Sequence, residues 1–304
     1  MSDESKGKWR FRKPAAPKGQ DDAPAEDAAS RAKGSGDLRD RIAILIAAAI
    51  IIPLVVFTFL TFYRSDESGK PPPPPPTIAD STAGPRAAIV DHLSLTQPNP
   101  AFTEAATDLL EQAGYAVDYF AGEQATVEFY RNLPAWGHEL IILRVHSALG
   151  RVGDRPADWV TLFTSDSYDK TSYRKDQTKQ RLSKVSYYEG GPEYFGIMPG
   201  FIKSSMKGEF QGTTIIIMGC DGLRSDSMAE AFVEKGAKAV VAWDGLVSPQ
   251  HTDAAVERLL QHLVNDKLTL QEAVTQTMAE LGPDPSYESV LRLYPSEEPV
   301  SAAP

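Results

Sequence analysis

Cysteine is nearly absent from this chain: one in 304 residues, accompanied by five histidines. A single thiol excludes an internal disulfide framework. So few ligands, without metal-type spacing, exclude a structural zinc site of the Cys/His class. No phosphate loop is present, because "GRVGD" at Gly150–Asp154 lacks the strand–loop–helix setting and the Lys-Ser/Thr pair. The formal net charge of −10 offers no basic domain for nucleic acid. No metal and no cofactor is therefore expected.

Other shortages are local. Residues 1–40 hold few large apolar side chains beyond Trp9, Phe11 and Leu38, too few to offset chain entropy, and read as a disordered tail. Between Ile42 and Phe62 it is charge that is missing. As a helix that span is about 31 Å long, the thickness of a bilayer core, so residues 41–63 read as one transmembrane helix in contact with lipid. A cleaved signal peptide would have a shorter apolar core nearer the start. Arg31, Lys33, Arg39 and Arg41 precede the span, whereas Arg64 and Lys70 follow it. The positive-inside bias therefore predicts a cytoplasmic amino terminus and an extracytoplasmic folded part. Residues 64–85, with six consecutive prolines, read as a stiff stalk. Residues 86–293 read as one α/β domain and 294–304 as a flexible tail.

Within that domain, apolar runs alternate with helical periodicity. "RAAIVDHLS", "AVDYFAG", "HELIILRVHS", "WVTLFTSD", "TTIIIMGC" and "KAVVAWDG" read as strands. "NPAFTEAATDLLEQAGY", "SDSMAEAFVEKGA", "PQHTDAAVERLLQHLVNDK" and "TLQEAVTQTMAELG" read as helices, with Gly114 and Gly236 closing the first two. This order predicts a mostly parallel sheet covered on both faces, with function beyond the carboxyl ends of its strands. Two reactive residues fall there. His146 closes "IILRVHS" and Cys220 closes "IIIMGC". A thiol beside an imidazole can act as a nucleophile, the ring taking the proton while sulfur attacks a carbonyl.

"IIIMGCDGL" followed by "SMAEAFVEKGAKAVVAW" resembles the nucleophile region of caspase-fold cysteine peptidases, closest to the CHAT and separase branch. The features that carry the resemblance are Cys220, Gly222, Ala229, Phe232, Gly236, Ala237 and Trp243. "HELIILRVHS" is similar to the family's histidine strand and "LTLQEAVTQTM" to its later helix. The resemblance implies a caspase-like three-layer α/β sandwich acting on a protein or peptide, with Cys220 as nucleophile and His146 as base. It also implies an oxyanion hole from the backbone N–H groups of Ser147 and Cys220. Ser147 stands where the family carries glycine, and Pro249 where its specificity aspartate stands. Asp221, Asp244 and Asp253 are the substrate-pocket candidates. A catalytically silent interaction module and a thiol acyl-transferase are two further functions compatible with these residues.

Of the remaining signals, His92 and Asp91 share a strand end, and His92 reads as structural or solvated. Asp91 lacks the acidic companions of a phosphoacceptor site. His138 and His251 fall at element starts and read as surface or capping residues. The basic, tyrosine-rich stretch from Tyr168 to Tyr194 reads as a solvated hairpin or loop, with a substrate flap or an autoprocessing loop as alternatives.

Overall fold

A computed structural model describes residues 84–152 and 155–296. The tail expected at residues 1–40, the membrane span at 41–63 and nearly all of the stalk lie outside the described residues. So does the end of the carboxyl-terminal tail. Among the described residues no helix is long and apolar enough to cross a membrane.

A six-stranded sheet organises the domain. Its strands are β1 (Arg86–Asp91), β2 (Ala116–Ala121), β3 (Leu140–Arg144), β8 (Thr214–Ile217), β9 (Ala239–Trp243) and β10 (Leu291–Tyr294). They lie in the order β10-β9-β8-β3-β1-β2. All neighbouring pairs are parallel except β9 and β10. Strands 1, 3, 8 and 9 are near-continuous apolar runs because both faces of the sheet are covered. The edge strand β10, "LRLY", carries too weak a pattern to stand out in sequence, and its pairing with β9 extends the domain past residue 293.

Alternate side chains divide the core in two. Ile89, Ile142, Ile216, Val241 and Trp243 face one side. There they meet α1 (Pro100–Gln112), α6 (Pro249–Val264) and α7 (Leu270–Leu281). Asn99 caps α1 by accepting from the N–H of Phe102, with Pro100 in the first turn, where a missing N–H costs nothing. Thr269 and Glu272 form a reciprocal capping box on α7. The opposite face packs Ala88, Val90, Leu143, Ile217 and Ala242 against α2 (Val127–Asn132), α4 (Pro199–Ser205) and α5 (Ser227–Glu234). The chain is thus a mixed α/β domain with a largely parallel sheet between layers.

The expected strand "WVTLFTSD" forms, but not in that sheet. It belongs to β5 (Arg155–Ser167), which with β4 (Ser147–Val152), β6 (Leu182–Val185) and β7 (Tyr194–Ile197) builds a second, antiparallel sheet in the order β4-β5-β7-β6. Val160, Leu162, Phe195 and Ile197 fasten it to the main core. The stretch expected to be a solvated loop is therefore partly structural: it contains the short helix α3 (Arg174–Thr178), β6 and the start of β7. Tyr173 and Asp176 are buried there, Asp176 being paired with Arg131 and Arg181.

Gly236, just past α5, has φ +98°, and a Cβ there would strike the carbonyl oxygen of Phe210. Replacing it with alanine is expected to destabilise the protein by about 1–3 kcal/mol in urea unfolding, since strain and clash act together.

Candidate functional site

β3 and β8 pair from Leu140 opposite Thr214 to Leu143 opposite Ile217, a constant offset of 74 residues. Continued three residues past the ladder, that register sets His146 beside Cys220. Adjacent strands lie about 4.8 Å apart. Contacts beyond the ladder hold the two ends together. Ser147 Oγ donates to the carbonyl oxygen of Cys220 at 2.6 Å. Gly219 lies so close to Val145 and Ser147 that a Cβ would collide with the Val145 carbonyl and the Ser147 hydroxyl. Gly219→Ala is therefore expected to part the strand ends, lowering the melting temperature and any activity at Cys220 together.

The side chains turn to different neighbours. His146 Nε2 is hydrogen-bonded to the Thr96 hydroxyl at 2.8 Å. Its ring packs on Tyr187 (centroids 4.9 Å apart), Phe163 (6.0 Å) and His92 (6.2 Å). The thiol faces the segment after β9: Val247 N–H donates to Sγ at 3.5 Å, and the S–H points at the Val247 carbonyl, 3.7 Å away. No hydrogen bond joins His146 to Cys220. Both residues are half-buried.

Electrostatics keep both groups neutral. Burial lowers the His146 pKa to about 4, and the Arg144 charge adds to the shift. Burial raises the Cys220 pKa; the Val247 N–H opposes that shift, while the charges of Asp221 and Asp284 reinforce it. The resting state is therefore a thiol and a neutral imidazole. Such a thiol reacts slowly with simple alkylating agents, because only the thiolate attacks.

The three acidic candidates have different partners. Asp221 sits in the left-handed region (φ +60°), accepts from the N–H of Leu149 at 3.4 Å and lies 3.9 Å from Arg224. Its carboxylate thus turns toward β4, and burial raises its pKa. Asp244 accepts from Val290 N–H and lines a cleft of about 350 Å³ with Arg224, Tyr287 and Glu288. Asp253 is committed to Arg144, which donates to it through Nε (2.8 Å) and a terminal nitrogen (2.9 Å). With a side chain only 6% exposed, Asp253 has no free edge for a substrate in this arrangement.

Arg144 was visible as the one charge in an apolar strand. Its other terminal nitrogen donates to Asp91 at 2.7 Å, while the one that meets Asp253 also donates to the Gln97 carbonyl at 2.8 Å, so Arg144 ties β1, β3 and α6 together directly below His146. His92 takes the structural role expected of it, whereas His138 differs from expectation. His92 is fully buried beside His146, and burial together with that neighbour lowers its pKa to about 4. His138 is buried, not a surface cap; its Nε2 lies 2.8 Å from Asp118, and Phe120 packs edge-on against the ring. His251 is half-buried in the first turn of α6, against Trp243. Thr96, Phe163, Tyr187 and Val247 complete the site. They come from four separate loops and strands, with no local pattern in sequence to mark them.

His92 and His146 together set how stability changes with pH. Both have folded pKa values of about 4, below the ordinary value near 6.5. Their contribution to stability is complete above pH 6.5 and is lost as the pH falls through 4, because the unfolded chain binds up to two more protons in that window. Urea midpoints should therefore fall between pH 6.5 and 4, with a shallower slope in His92→Gln.

Among the described residues no group of three His, Cys, Asp or Glu side chains converges to hold a metal ion. No known family model and no curated protein matches the chain.

Proposed function

We propose that the protein is a cysteine peptidase of the caspase type, anchored in a membrane by residues 41–63 with its catalytic domain outside the cytoplasm. The supporting observation is that the segments carrying His146 and Cys220 lie side by side just past the carboxyl ends of adjacent parallel strands, tied by the bond from Ser147 to the Cys220 carbonyl. Thr96 engages Nε2, which leaves Nδ1 as the ring atom to take the thiol proton. In the productive tautomer Nε2–H donates to the Thr96 hydroxyl. The side chains must rotate out of their present contacts, with Sγ leaving Val247, for the proton to pass; catalytic hydrogen bonds are often incomplete before substrate arrives.

The reaction would be acyl transfer. Sulfur attacks the peptide carbonyl as its proton moves to His146, and the charge that develops on oxygen needs backbone N–H donors nearby. His146 then protonates the leaving amine, and water hydrolyses the thioester, returning a proton to the ring and regenerating the thiol. Because the reactive state is neutral imidazole plus thiol, kcat/KM is expected to show an acid limb near pH 4 and to be level above it through neutral pH. A papain-like preformed ion pair would instead leave a strongly depressed thiol pKa and rapid alkylation at pH 5.

A second reading, a catalytically silent interaction module, is favoured by the same divergence of thiol and imidazole and by the raised thiol pKa. A library of peptidyl acyloxymethyl ketones separates the two. Peptidase function predicts covalent modification of Cys220 by at least one P1 class. Folded protein that no library member modifies is an interaction module.

A further inference from the structure

Tyr187 is not used by the mechanism above, yet its ring packs on His146 and its hydroxyl reaches His92. It lies just beyond β6, in the hairpin connecting to β7. Its ring is 4.9 Å from His146, 5.5 Å from Phe163 and 5.2 Å from Tyr194, centroid to centroid. Its hydroxyl is hydrogen-bonded to His92 Nε2 at 3.2 Å. His92 is fully buried at the end of β1, so the ring is pinned at its far end to the main sheet.

The hairpin that carries Tyr187 is itself fixed. Ser186 Oγ and the N–H of Gly191 both donate to the Tyr188 carbonyl, at 2.8 and 3.0 Å. Lys184 pairs with Glu193 across the strands at 2.6 Å. Gly190 takes the positive φ (+73°) that lets the turn close. A hairpin bonded in this way places a side chain; it does not swing freely. The Tyr187 ring therefore reads as a wall rather than a mobile cover.

We propose that Tyr187 is a positioning residue for His146: anchored on His92, its ring closes an aromatic box with Phe163 that holds the imidazole dehydrated, with Nε2 on Thr96 and Nδ1 free. This rests on the proposed role of His146. It goes further in assigning the orientation and proton state of that ring to a residue from the second sheet. The groups around His146 agree. On β3 Arg144 opposes protonation by its charge, and from the end of β1 His92 is a neutral partner. From the hairpin comes a phenol whose own pKa is pushed up to about 12 by burial and by Tyr194, so it carries no charge at working pH. Thr96 and Phe163 do not titrate. No carboxylate acts on the imidazole to hold it protonated, and the Tyr187 ring is what keeps water from doing so. Opening that wall removes the dehydration that keeps the ring neutral.

Histidine-labelled full-length protein, titrated by NMR with resonances assigned from single His→Gln variants, tests this directly. In the parent, His146 should titrate near pH 4 as the Nε2–H tautomer, which nitrogen shifts identify. In Tyr187→Ala the midpoint should rise toward about 6.5 and the tautomer preference should weaken. The rate of Cys220 labelling at pH 7 should fall about tenfold or more, since general-base catalysis depends on placement. Tyr187→Phe keeps the ring but loses the bond to His92, so it should raise the midpoint only by a small step, well short of Tyr187→Ala. His138 and His262, buried elsewhere, report in the same spectra whether the fold persists. Should Tyr187→Ala unfold, His92→Gln removes the anchor instead and should raise the His146 midpoint by a smaller step. Folded Tyr187→Ala with an unchanged His146 midpoint and tautomer overturns the proposal. Absence of Cys220 labelling in the parent would instead overturn the peptidase reading, while the titrations still decide the role of Tyr187.

Discussion

Cys220→Ala is expected to abolish covalent labelling by acyloxymethyl ketones and to lower peptide hydrolysis by a factor of about 10³ or more. Removing the nucleophile of a covalent mechanism leaves only binding and oxyanion contributions. His146→Ala should have a comparable effect, and the double variant should be little worse than either single one, because the two groups act as a unit. Stability should barely move. Cys220 is half-buried at the margin of the core, and its hydrogen bonds with Val247 are weak. Loss of activity with an unchanged unfolding midpoint separates a catalytic thiol from a packing one. Equal labelling of the parent and the Ala variant would place the reaction elsewhere, and no labelling of either would favour the silent module.

The second large effect lies beneath the site. Arg144→Met should destabilise the protein by about 3–5 kcal/mol, because it leaves Asp91 and Asp253 buried without their counter-charge. All three side chains are almost fully enclosed, at 1%, 3% and 6% exposure. The penalty comes mainly from stranded carboxylates rather than from the lost attraction. The double variant Arg144→Met/Asp253→Leu should therefore recover part of the loss, although each substitution alone is severe. Urea unfolding of the four-member cycle measures this directly. If Arg144→Met costs less than about 1 kcal/mol, the cluster is far better hydrated than its burial indicates. The same cluster touches function, because Arg144 helps keep His146 neutral. The variant should raise the His146 midpoint while loosening the strand end that carries it.

How much of this was legible in sequence differs from element to element. The strand ending in Cys220 and the helix after it were legible, because a buried parallel strand must be continuously apolar and Gly236 must terminate the helix. The capping residues Asn99 and Thr269 lie beside the helices they start, so local chemistry announces them. Edge strand β10 was not legible, since four residues, one buried, one exposed and two half-buried, carry no decisive period. Nor was the separation of β4–β7 into a second sheet, because an apolar run does not state its neighbour. The acidic pocket candidates illustrate the same limit. Asp253 carries in sequence no sign that a buried arginine 109 residues away will claim it.

By itself, then, the sequence determined which segments are strands and helices along most of the domain and that His146 and Cys220 follow two of the strands, whose ladders end at Arg144 and Ile217. Period, apolarity and caps are properties of neighbouring residues, and they survive without a fold. Tertiary structure alone decided that β3 and β8 are adjacent in a register that sets those two residues side by side. It also decided that His146 lies among Thr96, Phe163, Tyr187 and His92 while the thiol turns to Val247. Those contacts join residues far apart along the chain. They arise only when closing long loops is offset by the burial of both faces of the sheet, which no local pattern encodes.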